Sequence, residues 1–167
     1  MATVSINKPS LGQFLTFTLG KEIFALDIAR VREVLEITTV SYIPRTPDYM
    51  RGVINLRGHA VPVVDMRQKL DMSRVEDTVD TCIIILEVEL GGSQLVLGAL
   101  VDSVREVVEM PEGTIEPAPK MGTAVRADYI MGMGRQGDQF IIIVDVDAIF
   151  GGEEMLAVIE ESAEIAA

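Results

Sequence analysis

The chain is 167 residues long, is 49% apolar and sets 14 Lys and Arg against 26 Asp and Glu, a formal charge of -12. That field repels phosphate backbones and anionic bilayer surfaces, which argues against a nucleic-acid-binding or membrane-surface protein. The length suits one compact domain or two very small ones; with aromatics at 5% and no Trp, Val, Ile, Leu and Met must fill the core.

Taken in chain order, Met1 to Pro9 lacks the basic-then-apolar pattern of a signal peptide. Residues 1–12 therefore read as the flexible N-terminus of a soluble, cytoplasmic protein. Leu15, Phe17 and Leu19 alternate with Thr16 and Thr18, and Phe24, Leu26 and Ile28 alternate with Ala25 and Asp27. Between the two runs, Leu19-Gly20-Lys21-Glu22 predicts a hairpin turn. Val61 to Val64, Cys82 to Leu86 and Phe140 to Val144 are short β-branched runs of the kind buried in a sheet or barrel. None approaches the ~20 apolar residues of a membrane-spanning helix.

Two helices are predicted. Asp65-Met66-Arg67-Gln68-Lys69-Leu70 opens with an Asp that caps the free amides of a short helix. Glu153 to Ile159 places Met155, Leu156 and Ile159 on one face, with acidic residues in the first turn. Gly and Pro interrupt the rest at short intervals, which indicates an all-β sandwich or barrel.

A repeat organises these elements. Val31-Arg32-Glu33-Val34-Leu35-Glu36-Ile37 returns as Val104-Arg105-Glu106-Val107-Val108-Glu109-Met110. Pro44 matches Pro117, and beyond an insertion Tyr49, Gly52, Val64 and Asp65 match Tyr129, Gly132, Val144 and Asp145. Two copies predict two similar barrels, each near the lower size limit for independent folding, sharing a buried interface. The expected division is 13–78 and 79–151, with strand exchange between barrels left open, followed by a C-terminal helix and tail over 152–167. One turn breaks the likeness: Asn55-Leu56-Arg57-Gly58 lies opposite Arg135-Gln136-Gly137-Asp138. A scaffold position looks alike in both copies, whereas a position with a single task need not.

Catalytic groups are sparse, and the expectation is no enzyme, no metal and no cofactor. His59 is the only histidine and follows a glycine in a predicted turn, so it reads as an exposed residue rather than a ligand. Cys82, within Thr81-Cys82-Ile83-Ile84, reads as a buried, inert thiol. Gly132-Met133-Gly134-Arg135-Gln136-Gly137 matches a dinucleotide fingerprint, but a strand follows it where the fingerprint needs a helix. Asp65 and Asp145 are explained as helix caps; an acid–base pair among Asp65, Asp145 and Asp147 would require them to meet across a cleft. Arg57 has the best claim to a role, because a turn presents its guanidinium outward and Arg is frequent among residues that dominate interfaces. Its plain alternative is pairing with a local carboxylate.

The stretch Gly52-Val53-Ile54-Asn55-Leu56-Arg57-Gly58, with Val61-Pro62-Val63-Val64-Asp65 after it, resembles the signature block of CheW-like domains. Gln13 to Gly20, Ile115 to Pro119 and Tyr129 to Gly134 are similar to other parts of that family, and the likeness runs from about 13 to 155. It implies two five-stranded SH3-like barrels around a shared apolar interface. It also implies a non-enzymatic adaptor that couples the cytoplasmic hairpin tip of chemoreceptors to the CheW-like regulatory domain of the histidine kinase CheA. By the same resemblance Arg57, with Asn55, Leu56 and Gly58 around it, serves receptor coupling, and Val31 and Glu33 lie at or near partner surfaces. No residue is assigned to the kinase contact. The expectation is a stand-alone adaptor, monomeric outside arrays and recruited to membrane-associated receptor arrays without inserting. His59 departs from the aliphatic residue that often follows the motif. Competing readings are a cleft module for a small molecule or peptide, a hydrolase with cleft carboxylates, and the same adaptor in a pilus or surface-motility pathway.

Overall fold

A computed structural model describes residues 12–90, 92–117, 127–151 and 157. The N-terminal residues through 11 and the helix expected over Glu153 to Ile159 lie outside these, apart from Ala157, which is helical. Ten strands form: β1 (Gln13–Leu19), β2 (Glu22–Asp27), β3 (Val31–Glu36), β4 (Met50–Leu56), β5 (His59–Asp65), β6 (Cys82–Leu90), β7 (Ser93–Val101), β8 (Ser103–Glu109), β9 (Ile130–Gln136) and β10 (Gln139–Val144). Two short helices, α1 (Met66–Lys69) and α2 (Val146–Phe150), follow β5 and β10. The side chains of Asp65 and Asp145 accept from the amides of Gln68 and Ala148, so both carboxylates cap helices.

The strands pair into two five-stranded sheets, ordered β8-β1-β2-β10-β9 and β3-β6-β7-β5-β4. Renaming each strand of one repeat copy as its counterpart in the other turns the first order into the second. The chain is thus a pseudo-twofold object. The hairpin that opens each copy (β1–β2 or β6–β7) completes the sheet of the other copy. A contiguous division at 78/79 does not coincide with these sheets: the second takes its strands from 31–101, and the first from 13–27 and 103–144. Equivalent joints hold each sheet together, with β5 parallel to β7 and β10 parallel to β2. Helix α2 reaches back across the junction, where Asp147 Oδ1 accepts from the Glu89 amide of β6 at 3.3 Å.

Burial on both strand faces explains the continuous apolar runs. In β6, Ile83 and Ile85 pack with Ile54, Val61 and Val63 inside the second sheet. The alternate residues Ile84, Leu86 and Val88 point the other way, onto Phe17, Phe24 and Phe150. In β10, Ile141 and Ile143 pack with Phe14 and Ile23 inside the first sheet, while Ile142 and Val144 join the shared layer. Side chains of a strand alternate between faces, so a run apolar at every position is what a strand between two dry layers requires. The shared layer is the largest of the three apolar clusters. Phe140 and Cys82, at the starts of their runs, are the exceptions among the predicted buried runs, and Phe140 is the more exposed. It is 48% exposed, with the Arg135 guanidinium 5.0 Å above its ring.

Candidate functional site

The β4–β5 hairpin builds the site. Leu56 faces His59 across the hairpin, leaving Arg57 and Gly58 as the two turn residues. Both have positive φ, +51° and +86°, the backbone of the tight turn that matches the right-handed twist of paired strands. Asn55 Oδ1 accepts from the Gly58 amide at 2.8 Å and pins the turn from inside. Gly58 supplies the conformation at no steric cost. Arg57 adopts it against the preference of any residue with a Cβ. In the other copy the equivalent turn residue is Gly137, at φ +62°.

Arg57 leans across the sheet onto Glu33 of the edge strand β3. Its two terminal nitrogens face the two carboxylate oxygens, Nη2 in close contact with Oε2 and Nη1 3.4 Å from Oε1. The Arg57 side chain stays 69% exposed and that of Glu33 29%. Glu33 reaches this position because β3 carries a bulge between Val31 and Glu33 against β6. The bulge also separates two residues that strand periodicity would have placed on one face. Val31 packs half-buried against the shared core, whereas Glu33 turns toward the hairpin.

Beside the ion pair lies an open groove of about 600 Å³. Leu56, Val61, Ile85 and Val96 give it an apolar lining, and Arg32, Glu33, Arg57 and His59 carry its charge and polarity. Arg32 is itself tied to Glu87 of β6, Nε to Oε1 at 3.2 Å. The structure therefore brings together Leu56, Arg57 and Glu33 of the predicted site. Asn55 and Gly58 support the turn, and Val31 stands on the neighbouring core side. Sequence reasoning missed Arg32, Ile85 and Val96, which share the groove only because β3, β6 and β7 are adjacent in the sheet. His59 is exposed, as read, but it lines the groove.

The remaining candidates resolve structurally. Cys82 is half-buried at the start of β6 rather than fully buried, and its Sγ lies 3.2 Å from the Asp80 carbonyl. A Cβ on Gly132 or Gly134 would overlap Ile115 or Met110, so these glycines of the fingerprint-like segment serve close packing in β9. Asp147 binds Arg30, which also donates to the Glu87 carbonyl at 3.4 Å. A counterpart clasp joins Arg67 Nε to Asp102 Oδ1 at 2.8 Å, and Asp102 Oδ2 accepts from the Gly20 amide at 2.7 Å. Arg67 and Asp147 occupy equivalent places two residues after the caps, so the two clasps tie the sheets together with charges reversed. Burial pushes the Asp102 carboxyl up. The Arg67 hydrogen bond, the Gly20 amide and the Arg67 charge together outweigh that and hold it below its ordinary value.

Known proteins resemble this chain in sequence and in fold. The sequence profile of the CheW-like domain matches residues 13–154. The chemotaxis protein CheW of Klebsiella aerogenes is 37% identical over 160 residues, covering 95% of this chain and 94% of that protein. CheW of Rhizobium meliloti is 32% identical over 142 residues, 85% of this chain and 89% of its own length. The crystal structure of the scaffolding protein TtCheW from Thermoanaerobacter tengcongensis superposes with a TM-score of 0.75 at 32% identity, covering 88% of this chain and 96% of that one. A profile match across nearly the whole length, a close relative spanning 95% of the chain and the shared two-sheet fold agree, and the chain belongs to the CheW-like family of non-enzymatic chemotaxis adaptors.

Proposed function

We propose that this adaptor, which couples chemoreceptors to CheA, engages the receptor through the Arg57 groove of its second sheet. The observation that carries the reading is Arg57 itself. It occupies a left-handed turn position where the sister hairpin has Gly137, and it stands exposed beside an apolar groove. A backbone cost borne at one hairpin and avoided at the other points to the side chain as the reason for the residue. The groove suits one helix of a helical hairpin, whose apolar stripe would lie on the half-buried Leu56, Ala60 and Val96 while polar groups meet the rim.

The kinase's CheW-like regulatory domain takes a separate surface, so receptor and kinase bind at once. No helix among the described residues is long and apolar enough to cross a membrane, and recruitment to membrane arrays runs through the receptor. Individual contacts are weak in this reading, and the array gains strength from multivalency; the free adaptor sediments as a monomer.

The test is co-sedimentation of the chain and CheA with receptor-containing membranes while kinase autophosphorylation is followed. The wild-type chain brings the kinase down and raises its activity. Arg57→Ala still binds CheA in solution but fails to couple it to the membranes. Equal coupling by mutant and wild type removes Arg57 from the receptor site.

A further inference from the structure

We infer that the two charged clasps between the sheets decide which sheet each opening hairpin completes. Arg30 and Asp102 end the β1–β2 and β6–β7 hairpins, and Arg67 and Asp147 stand on the helices that meet them. The four charges are placed so that each hairpin matches only the helix of the other copy.

The strand pattern leaves the choice open. Val63 of β5 lies beside Gly98 of β7, and Ile143 of β10 lies beside Ala25 of β2. Ala25 and Gly98 are equivalent in the repeat, and so are Val63 and Ile143. The two hairpins could therefore trade places in the same register, and each copy would close its own barrel with the same ladders. Register is set by the apolar pattern, and here that pattern fits both arrangements.

The charges do not fit both. Arg30 and Asp102 follow their hairpins at places that differ by one residue in the repeat, and Arg67 and Asp147 are equivalent second residues of α1 and α2. In the exchanged fold Arg30 Nη1 donates to Asp147 Oδ1 at 2.9 Å, and Arg67 Nε donates to Asp102 Oδ1 at 2.8 Å. With each hairpin in its own copy, Arg30 would stand against Arg67 and Asp102 against Asp147. One arrangement has two attractions and the other two repulsions. The Arg67 and Asp102 side chains are only 14% and 24% exposed, so solvent and salt screen that difference incompletely. Like charges set against the wrong pairing give specificity by opposition.

The choice reaches the groove. Ile85 of β6 and Val96 of β7 line it beside Leu56 and His59, and both belong to the second copy's hairpin. Pairing within copies would take them out of the second sheet, so the groove exists only in the exchanged fold.

The experiment refolds full-length variants from urea and reads backbone proton contacts across the parallel joints by nuclear magnetic resonance. Wild type shows Val63 with Gly98 and Ile143 with Ala25. The variant Arg30→Asp with Asp102→Arg makes both exchanged clasps repulsive and both own-copy clasps attractive, at unchanged net charge. It is expected to show Val63 with Ala25 and Ile143 with Gly98 in about a tenth of the molecules or more. The neutral pair Arg30→Gln with Asp102→Asn loses the attraction without gaining the wrong one, and keeps the wild-type contacts alone. Adding Arg67→Asp and Asp147→Arg to the reversed pair restores opposite charges in the exchanged fold and returns the wild-type contacts as the only set.

If the reversed pair refolds wholly to the wild-type contacts, as the neutral pair does, the clasps hold the sheets without choosing between them, and the inference is overturned. If the reversed pair does not fold, the fourfold reversal decides: recovery of the wild-type contacts supports the charge code, and failure to fold overturns it.

Discussion

The β4–β5 and β9–β10 hairpins are copies of one design that differ at their turns. Both cross their sheets in the same register, both lead through a buried strand to a capping aspartate, and both end in a short helix. Their turns share a left-handed backbone at Arg57 and Gly137. Yet one turn carries a guanidinium reaching over a groove. In the other hairpin the arginine stands two residues earlier, at Arg135, where it bonds Glu116 at 2.9 Å and covers Phe140. Features kept in both copies hold the scaffold. The feature present in one copy, at a backbone cost, is the candidate for function.

The sharpest division between scaffold and site is expected at the paired glycines Gly52 and Gly132. A Cβ on Gly52 would overlap the Ser41 carbonyl, and φ there is +144°; a Cβ on Gly132 would overlap the Ile115 side chain. Each change forces a packed loop away from its strand. Gly52→Ala is expected to cost about 3 kcal/mol of stability in urea unfolding, because a rigid backbone group stands in the way. Gly132→Ala costs about half as much, because the Ile115 side chain can rotate aside. Equal and negligible costs would mean that the two copies are not held by this shared contact.

Arg57→Gly gives the first turn the glycine that the second has at the same place and separates folding from function. A glycine takes φ +51° without penalty, so stability is expected to be unchanged or to rise by up to about 1 kcal/mol. Receptor affinity should fall by roughly tenfold or more, the loss expected of an interface arginine that acts as an anchor. A variant that is more stable yet uncoupled would establish that the left-handed arginine is retained for binding. A variant that loses stability would make Arg57 part of the scaffold.

The two clasps extend the comparison to the ends of the sheets. Asp102 has its carboxyl held below its ordinary value, so the sign of its contribution is fixed. The stabilisation is complete above the pKa of an unfolded-state carboxylate, near 4, and is lost as pH falls from there through the lower folded-state value. Asp102→Asn should therefore cost about 1 kcal/mol at pH 7, a figure that allows for partial solvent screening. The gap from wild type should narrow below about pH 4. A gap that persists undiminished in acid would show that Arg67 and Gly20 need the shape of this residue rather than its charge.

Much of this architecture is legible in the sequence, and the rest is hidden for definite reasons. Ile83 to Leu86 and Ile141 to Val144 are apolar at every position, which announces strands buried on both faces, and the shared layer confirms the reason. The Asp65 cap, the Gly20 turn and the repeat are equally plain, because each depends on residues close together or on a repeated pattern. The exchange of hairpins between copies is not legible. When two copies carry the same strand pattern, β1–β2 satisfies either sheet, and only the packed whole decides which. The Glu33 partner of Arg57 is hidden for a related reason. It depends on a bulge between Val31 and Glu33 that shifts the register of β3, and alternation alone would have kept the two residues on one face. The resemblance led to Arg57 and Glu33 as separate residues; the fold makes them a pair.

The smallest expected effect belongs to His59, and it tests whether the groove discriminates beyond its arginines. His59 is exposed, lies across the hairpin from Leu56 and has no side-chain hydrogen bond among the contacts described. His59→Val should change stability by less than about 0.5 kcal/mol, because an exposed strand position accepts a β-branched residue. The same change removes a polar ring from a rim that otherwise carries two arginines and one glutamate. If the groove reads only Arg57 and the apolar lining, hairpins from different receptors will keep their rank order of affinity. If the rim contributes to selection, hairpins rich in acidic residues will lose affinity relative to neutral ones, by a factor smaller than that for Arg57→Gly. A reordering without a general loss would place receptor preference at the edge of the groove and receptor anchoring at its arginine.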